Sequence, residues 1–308
     1  MLSLQRRGFL AGGVALLASC GNDDHIPTVF GVAQNDPQFS VLVETVQAAG
    51  LESTLNGAGP FTVFAPTNNA FTSLLTELGL TKAQLLADKT LLTAVLTYHV
   101  LPAKVEKSAV APGKPITTVQ GGIFKVEVAS SGALTIQDGR NRTATITATN
   151  VAASNGVVHV IDKVLLPANR NIVETAQALP DFSVLVEAVV AANLATALSG
   201  SGPFTVFAPN NAAFTELLTR LGQTKAQLLA NTNLLTSVLR YHVVNSRVLK
   251  ADVPVGTAIA TLEPNRTFTV DNTLTITDAR GGKARIVTTD VFASNGVIHV
   301  IDRVILPS

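Results

Sequence analysis

The chain has 308 residues, a formal net charge of +1, 47% hydrophobic residues and only 14% charged ones, against about 25% charged in an average soluble domain. That balance leaves no broad basic face to neutralise phosphate backbones, and with no Trp and two Tyr there is little to stack on bases, which argues against nucleic acid as a partner. At about 100–200 residues per domain the length allows two or three domains, and the surface must be rich in Thr, Ser, Asn and Gln.

At the N-terminus, Arg6-Arg7 precede an apolar run from Gly8 to Ala18 that ends in Leu17-Ala18-Ser19-Cys20. The run is too short to be a final bilayer-spanning anchor. Leu-Ala-Ser-Cys resembles the bacterial lipobox, whose Cys is acylated and becomes the mature N-terminus, and the arginine pair followed by Gly8-Phe9-Leu10 resembles a twin-arginine export signal. Residues 1–20 are therefore expected to be a lipoprotein signal peptide with Cys20 as the lipidation site, and residues 21–27 a polar tether. Cys20 is the only cysteine of the chain, so no disulfide can hold the fold and packing alone must do so in an oxidising compartment.

Beyond the tether, one unit occurs twice. Phe39, Leu42, Val43 and Val46 recur at helical spacing and are answered by Phe182, Leu185, Val186, Val189 and Val190. The stretch Gly59-Pro60-Phe61-Thr62-Val63-Phe64-Ala65-Pro66-Thr67-Asn68-Asn69-Ala70-Phe71 returns almost letter for letter at Gly202 to Phe214. Phe61, Val63 and Ala65 alternate as in a strand, Pro66 stops the ladder, and Thr67 or Asn68 can cap a helix carrying Phe71, Leu74, Leu75 and Leu78. Thr81-x-x-Gln84 and Thr224-x-x-Gln227 are capping-box patterns that open a further short helix in each unit. A last helical stripe, Leu91-Leu92-x-x-Val95-Leu96 or Leu234-Leu235-x-x-Val238-Leu239, runs into Tyr98-His99-Val100 or Tyr241-His242-Val243.

The units differ by a constant 143 positions up to Gly113 and Gly256, but by 140 at Leu134 and Leu274, a net loss of three residues that should fall in a connection between strands. Phe124, Val126 and Val128 alternate toward a Ser130-Ser131-Gly132 turn, and Leu134 and Ile136 alternate away; Phe268 and Val270, Asp271-Asn272, then Leu274 and Ile276 repeat the hairpin pattern. Each unit closes with Asn155-Gly156 or Asn295-Gly296, expected to form a left-handed turn, followed by a β-branched run that reads as a central strand. The pattern predicts an α+β class: two tandem domains, 28–167 and 171–308, each a mostly antiparallel β-sandwich or wedge covered by a helical layer.

The ordered set Gly-Pro-Phe-Thr-Val-Phe-Ala-Pro-x-Asn-x-Ala-Phe, Tyr-His-Val and Asn-Gly-Val-x-His-Val-Ile-Asp-x-Val-(Leu/Ile)-Leu-Pro, found twice, resembles the fasciclin domain over nearly all of the mature chain. The resemblance implies an extracytoplasmic adhesion or matrix-associated module that works by binding, in bacteria often a lipoprotein or secreted protein, and it implies no cofactor.

Candidate chemistry is sparse. His99 and His242 follow a helical stripe and His159 and His299 lie within the closing strands, so two histidines per domain could suggest a metal pair. A third ligand is missing, however, since there is no His-x-x-x-His or His-Glu-x-x-His and no second Cys. A histidine in an apolar run is usually a core residue with satisfied ring nitrogens. Tyr98, His99, Tyr241, His242, His159 and His299 are thus expected to be structural, with contact to a ligand as the competing role. No Gly-x-Ser-x-Gly elbow or Ser-x-x-Lys set is present, and Asp162 should face away from His159 on a strand, so no enzyme activity is expected. Asn141-Arg142-Thr143 and Asn265-Arg266-Thr267 match the glycosylation sequon but read as polar loops. The expected function is a membrane-anchored, extracytoplasmic binding or adhesion module of the cell envelope that recognises protein or polysaccharide; the alternative is a structural envelope lipoprotein without a dedicated ligand.

Overall fold

The computed structural model describes residues 26–307; the signal sequence, Cys20 and nearly all of the tether lie outside the described residues. The first unit runs α1 (Val29–Gln34), α2 (Ser40–Ala49), α3 (Glu52–Asn56), β1 (Phe61–Pro66), α4 (Asn68–Leu78), α5 (Lys82–Ala87), α6 (Lys89–Tyr98), β2 (Val100–Leu101), β3 (Pro115–Thr117), β4 (Ile123–Val128), β5 (Leu134–Gln137), β6 (Thr143–Ala153) and β7 (Gly156–Ile161). The second repeats it with α7 (Ile172–Gln177), α8 (Ser183–Ala191), α9 (Ala195–Leu198), β8 (Phe204–Pro209), α10 (Asn211–Leu221), α11 (Lys225–Ala230), α12 (Thr232–Tyr241), β9 (Val243–Val244), β10 (Ile259–Ala260), β11 (Thr267–Val270), β12 (Thr275–Thr277), β13 (Lys283–Ala293) and β14 (Gly296–Ile301). Strands are ordered β2-β1-β7-β6-β5-β4-β3 and β10-β11-β12-β13-β14-β8-β9. All pairs of these strands are antiparallel except β1 with β7 and β8 with β14. The predicted α+β pair of helix-covered wedges is the fold observed.

The repeated strand is buried on both faces, and its alternation splits it between two cores. Val63 and Ala65 face the helices, packing with Phe71, Leu74, Leu92 and Leu96, whereas Phe64 faces the interior of the wedge with Tyr98, Phe124 and Ile136. Burial of such side chains contributes about 1.5–3 kcal/mol each. Thr62, on the same face as Phe64, is fully buried because its hydroxyl donates to Ala103 O (2.6 Å) and accepts from Val105 N (2.8 Å). Thr67 caps α4, and the capping boxes at Thr81 and Thr224 form as their sequences predict.

Three expectations are corrected. Neither Asn155 nor Gly156 is left-handed; a Cβ on Gly156 would stand 2.1 Å from Phe61 O, and one on Gly296 2.1 Å from Phe204 O, so these glycines are required by the close approach of the parallel neighbour. The asparagines serve a different purpose, since Asn155 Oδ1 accepts Val29 N (2.8 Å) while its Nδ2 donates to Leu55 O and Gly57 O, stitching α1 and the end of α3 to the closing hairpin. Asn295 repeats this with Ile172 N, Leu198 O and Gly200 O. Second, the net loss of three residues is one gained and four lost. Gly113 and Gly256 bond to Val126 O and Val270 O, fixing Val270 as the equivalent of Val126, and Ile136 and Ile276 pair with these same valines; the four-residue cut therefore lies in the hairpin turn. Third, the β4 alternation holds at Phe124 and Val126 but does not predict burial at two other positions: Val128, at the strand end, is 51% exposed, and Lys125, on the opposite face, only 5%.

Candidate functional site

The six residues singled out in the Tyr-His pairs and closing strands all lie inside the protein. His99 is the C-cap of α6 and 2% exposed. Its Nδ1–H donates to Val95 O (2.7 Å), and its Nε2 accepts the Leu165 N–H (2.8 Å), which pins the end of the helix to the segment after β7. His242 does the same with Val238 O (2.7 Å) and Ile305 N (3.2 Å). His159 Nε2–H donates to Val105 O (2.9 Å) and its Nδ1 accepts Asn150 N (3.3 Å); His299 pairs with Val248 O and Asp290 N. Both nitrogens of every one of these rings are engaged in the neutral form, so no lone pair points at a metal. Burial holds His99 and His242 down to about 4, the hydrogen bond to the helix carbonyl opposing it, and burial lowers His159 and His299 as well.

The tyrosines are anchored on the sheet. Tyr98 Oη donates to Ile123 O, and Tyr241 Oη donates to Thr267 O (2.7 Å) while accepting Ala279 N (3.1 Å). Burial pushes both phenols up, Tyr241 to about 12. Their rings complete an aromatic chain: Phe64 lies edge-on to Phe124 at 5.1 Å and 5.3 Å from His159, with Tyr98 6.0 Å beyond Phe124, and the second domain repeats it with Phe207, Phe268, His299 and Tyr241. The structure thus brings Tyr98 and His159 to opposite ends of one stack, while His99 lies apart. Among the described residues, no group of three or more His, Cys, Asp or Glu is arranged to hold a metal ion. No described helix is long and apolar enough to cross a membrane.

What sequence reading missed is the seam between the domains. Ile123 packs against Leu249, Phe292 and Val297 of the second domain. Lys125 Nζ meets Asp290 Oδ2 at 2.7 Å and Glu127 at 2.8 Å, with the Lys125 and Asp290 side chains 6% and 1% exposed. Burial pulls this ammonium down, but its hydrogen bonds to Asp290 and Glu127 outweigh that and hold it above its ordinary value. The amide of Asn141 accepts Phe292 N (2.6 Å) and donates to Phe292 O (3.1 Å), while Gln137 Nε2 donates to Asp290 O (2.6 Å). These amides take the place of a neighbouring strand on the free edge of β13. Asn141, in the first sequon, is therefore occupied by the second domain. No signal for it is present in the sequence: between Phe124 and Val126, which face the wedge core, Lys125 alternates to the outer face, and it is the second domain that buries it there.

Beside the seam opens a cleft of about 810 Å³ whose lining includes Arg140, Arg142 and Arg170 from the first domain and the linker and Leu179, Val287 and Phe292 from the second domain. Arg142 is engaged locally, with Asp138 (2.7 Å), Glu77 (2.7 Å) and Val164 O. This concavity is formed by residues of both domains and is positioned by the same 138–142 turn whose Asn141 makes the seam.

A duplicated wedge-and-helix domain with histidine-pinned helix ends defines a class of tandem α+β modules. The chain belongs to the fasciclin-domain family: the fasciclin domain model matches residues 37–167 and 180–307. Among its relatives, the pig transforming growth factor-beta-induced protein ig-h3 is 33% identical over 261 residues, 83% of this chain and 36% of that protein. Protein sll1483 of Synechocystis is 42% identical over 147 residues, 47% of this chain and 76% of that one. A solved FAS1 domain pair from the insect cell adhesion molecule fasciclin I aligns over 90% of this chain and 95% of that chain, with 19% identity and a TM-score of 0.45. The chain spans about a third of the length of the animal ig-h3 proteins it matches. Fasciclin domains are extracellular or surface modules associated with cell adhesion and extracellular protein interaction.

Proposed function

We propose that this protein is an extracytoplasmic binding module of the cell envelope, held to a membrane through acylated Cys20 and recognising a protein or polysaccharide at the cell surface. The observation that carries this reading is the disposition of its chemistry. The histidines and tyrosines that could act on a substrate are consumed by internal hydrogen bonds, while the concave, polar and accessible surface lies between two domains fixed to each other. Such a surface suits recognition without catalysis, cofactor or metal, and a net charge of +1 argues against the broad basic face that a nucleic-acid backbone requires. The six Tyr and His residues act as packing and capping groups and not as contacts. We take the domain boundaries as 28–167 and 171–308, a reading supported by α1 and α7, which start at the Thr28 and Asn171 caps and are tied to the closing hairpins of their own units.

Affinity capture from envelope extract tests the reading, with the full chain as bait. A saturable partner, competed by free protein, is the expected result; recovery no greater than on blank beads would leave a structural envelope lipoprotein without a ligand. The anchor has its own test: Cys20→Ala should abolish palmitate labelling and detergent-phase partition, and a variant that still labels would remove the lipid from the proposal.

A further inference from the structure

Three side-chain atoms are buried without a hydrogen-bond partner among the described residues: Arg140 Nε, Arg247 Nε and Glu216 Oε2. Both arginines lie at the interdomain seam. Arg140 lines the large cleft; Arg247 lines a hollow of about 310 Å³ that shares Gly139, Ala168 and Phe292 with it as a common wall. Both arginines are half-buried, and in each it is Nε that is withdrawn from water with no acceptor among the described residues; a buried donor on a group that stays charged is costly, and an incoming anion would relieve it. Arg140 makes no side-chain hydrogen bond or ion pair with any described residue, in contrast with Arg142 two positions on, whose guanidinium donates to Asp138, Glu77 and Val164 O. Arg170, on the linker at the same rim, is likewise unpaired among the described residues. The acidic groups at the cleft meet these charges only through space: Glu77 and the underlying Asp138 spend their hydrogen bonds on Arg142 and act on Arg140 without touching it, and Asp181 is exposed. Burial and the neighbouring Arg142 pull the Arg140 guanidinium below its ordinary value, consistent with a desolvated, electropositive wall.

We propose that this cleft receives an acidic peptide segment, an Asp or Glu carboxylate binding Arg140 and Arg170 while an adjacent aliphatic side chain lies on Leu179 and Val287. Guanidinium and carboxylate match as planar, bidentate partners whose charge-assisted hydrogen bonds are about twice as strong as neutral ones. The second domain's share of the lining selects the rest of the ligand. Leu179 and Val287 are 38% and 54% exposed, whereas the aromatic residues of the cleft, Phe182 and Phe292, are buried; the wall thus offers aliphatic contact to a peptide side chain and no open aromatic platform for a sugar ring. Recognition of an acidic motif by an arginine cluster beside an apolar shelf is an established mode of peptide capture.

The inference rests on the binding role proposed above and is tested apart from it. A fluorescein-labelled peptide of alternating Glu and Leu is titrated into the full chain in detergent and followed by anisotropy, with the Gln-for-Glu peptide and a polyuronate of equal charge as competitors. Binding should weaken as salt is raised, and Arg140→Gln and Arg170→Gln should each reduce it by at least about tenfold. Arg280→Gln, at the position of the second domain equivalent to Arg140 but outside the cleft, should leave it unchanged. Equal loss in Arg280→Gln, undiminished binding in Arg140→Gln, or displacement by the polyuronate but not by excess acidic peptide would each overturn the inference. Envelope capture that survives in Arg140→Gln would do so while leaving the binding role intact.

Discussion

Residue 150 is Asn in the first domain and its equivalent, residue 290, is Asp in the second. Both backbones are left-handed there, φ 60° and 59°, and both side chains accept the N–H of a lysine, Lys107 or Lys250. The local structure is the same, but only Asp290 also meets Lys125, whose own equivalent in the second domain is Thr269. The same one-sidedness holds for the amide arms: Asn141 and Gln137 reach the second domain, while Gly281 and Thr277 stand in their places there. Asn141 and Gly281 share the left-handed backbone, φ 63° and 77°, so what differs is only the side chain that crosses the seam. The matching edge of β6 in the first domain, Asn150 to Ala152, is left largely exposed. Residues that repeat between the domains build the fold; residues that differ weld one domain to the other, each half of the weld present only where it is used.

The comparison can be broken most sharply at the ion pair. Asp290→Asn keeps the left-handed backbone and the Lys250 contact but leaves the buried Lys125 with Glu127 alone, and should lower the stability of the full chain to urea by about 3 kcal/mol. Giving each domain the other's residue, Lys125→Thr with Asp290→Asn, removes the orphaned charge and should recover most of that loss; a double variant no better than the single one would show that the pair does not couple the domains.

The repeated features should respond alike in both halves. His99→Ala and His242→Ala each remove two hydrogen bonds and leave a cavity, so each should cost about 1–3 kcal/mol by calorimetry; a melt unchanged in one domain but not the other would end the symmetry. Acid offers a milder version of the same test. The folded histidines are held down to about 4 against 6.5 when free, so between those values only the unfolded chain takes up their protons. Stability should be level above about pH 7 and fall as pH drops through the window from 6.5 to 4. Replacing either histidine should shrink that slope.

Smaller effects are expected along the seam. Asn141→Ala uncaps Phe292 N and O and should cost about 1 kcal/mol, seen as earlier urea unfolding and faster amide exchange at Phe292. Lys114, which bridges to Ala251 O and Asp252 with both charged side chains a third or more exposed, should lose less than about 0.5 kcal/mol as Lys114→Ala, and that loss should vanish at high salt.

The sequence by itself determined the duplication, the helix starts at Thr67, Thr81 and Thr224, the central position of the Val157–Ile161 strand and the wedge hairpins, because caps, period-two runs and turns are written in neighbouring residues. It also marked His99, His242, His159 and His299 as core groups, since an apolar run leaves a histidine few surroundings other than backbone. What only tertiary structure decided depends on pairs far apart in the chain. Gly156 is glycine because Phe61 O lies where its Cβ would be, and Asn155 is asparagine because α1 and the α3 terminus arrive beside it. Lys125 is buried because Asp290, 165 residues away, meets it. The cleft of Arg140 and Arg170 exists only once two separately coded domains dock, and no local pattern carries the electrostatics of a surface made by both.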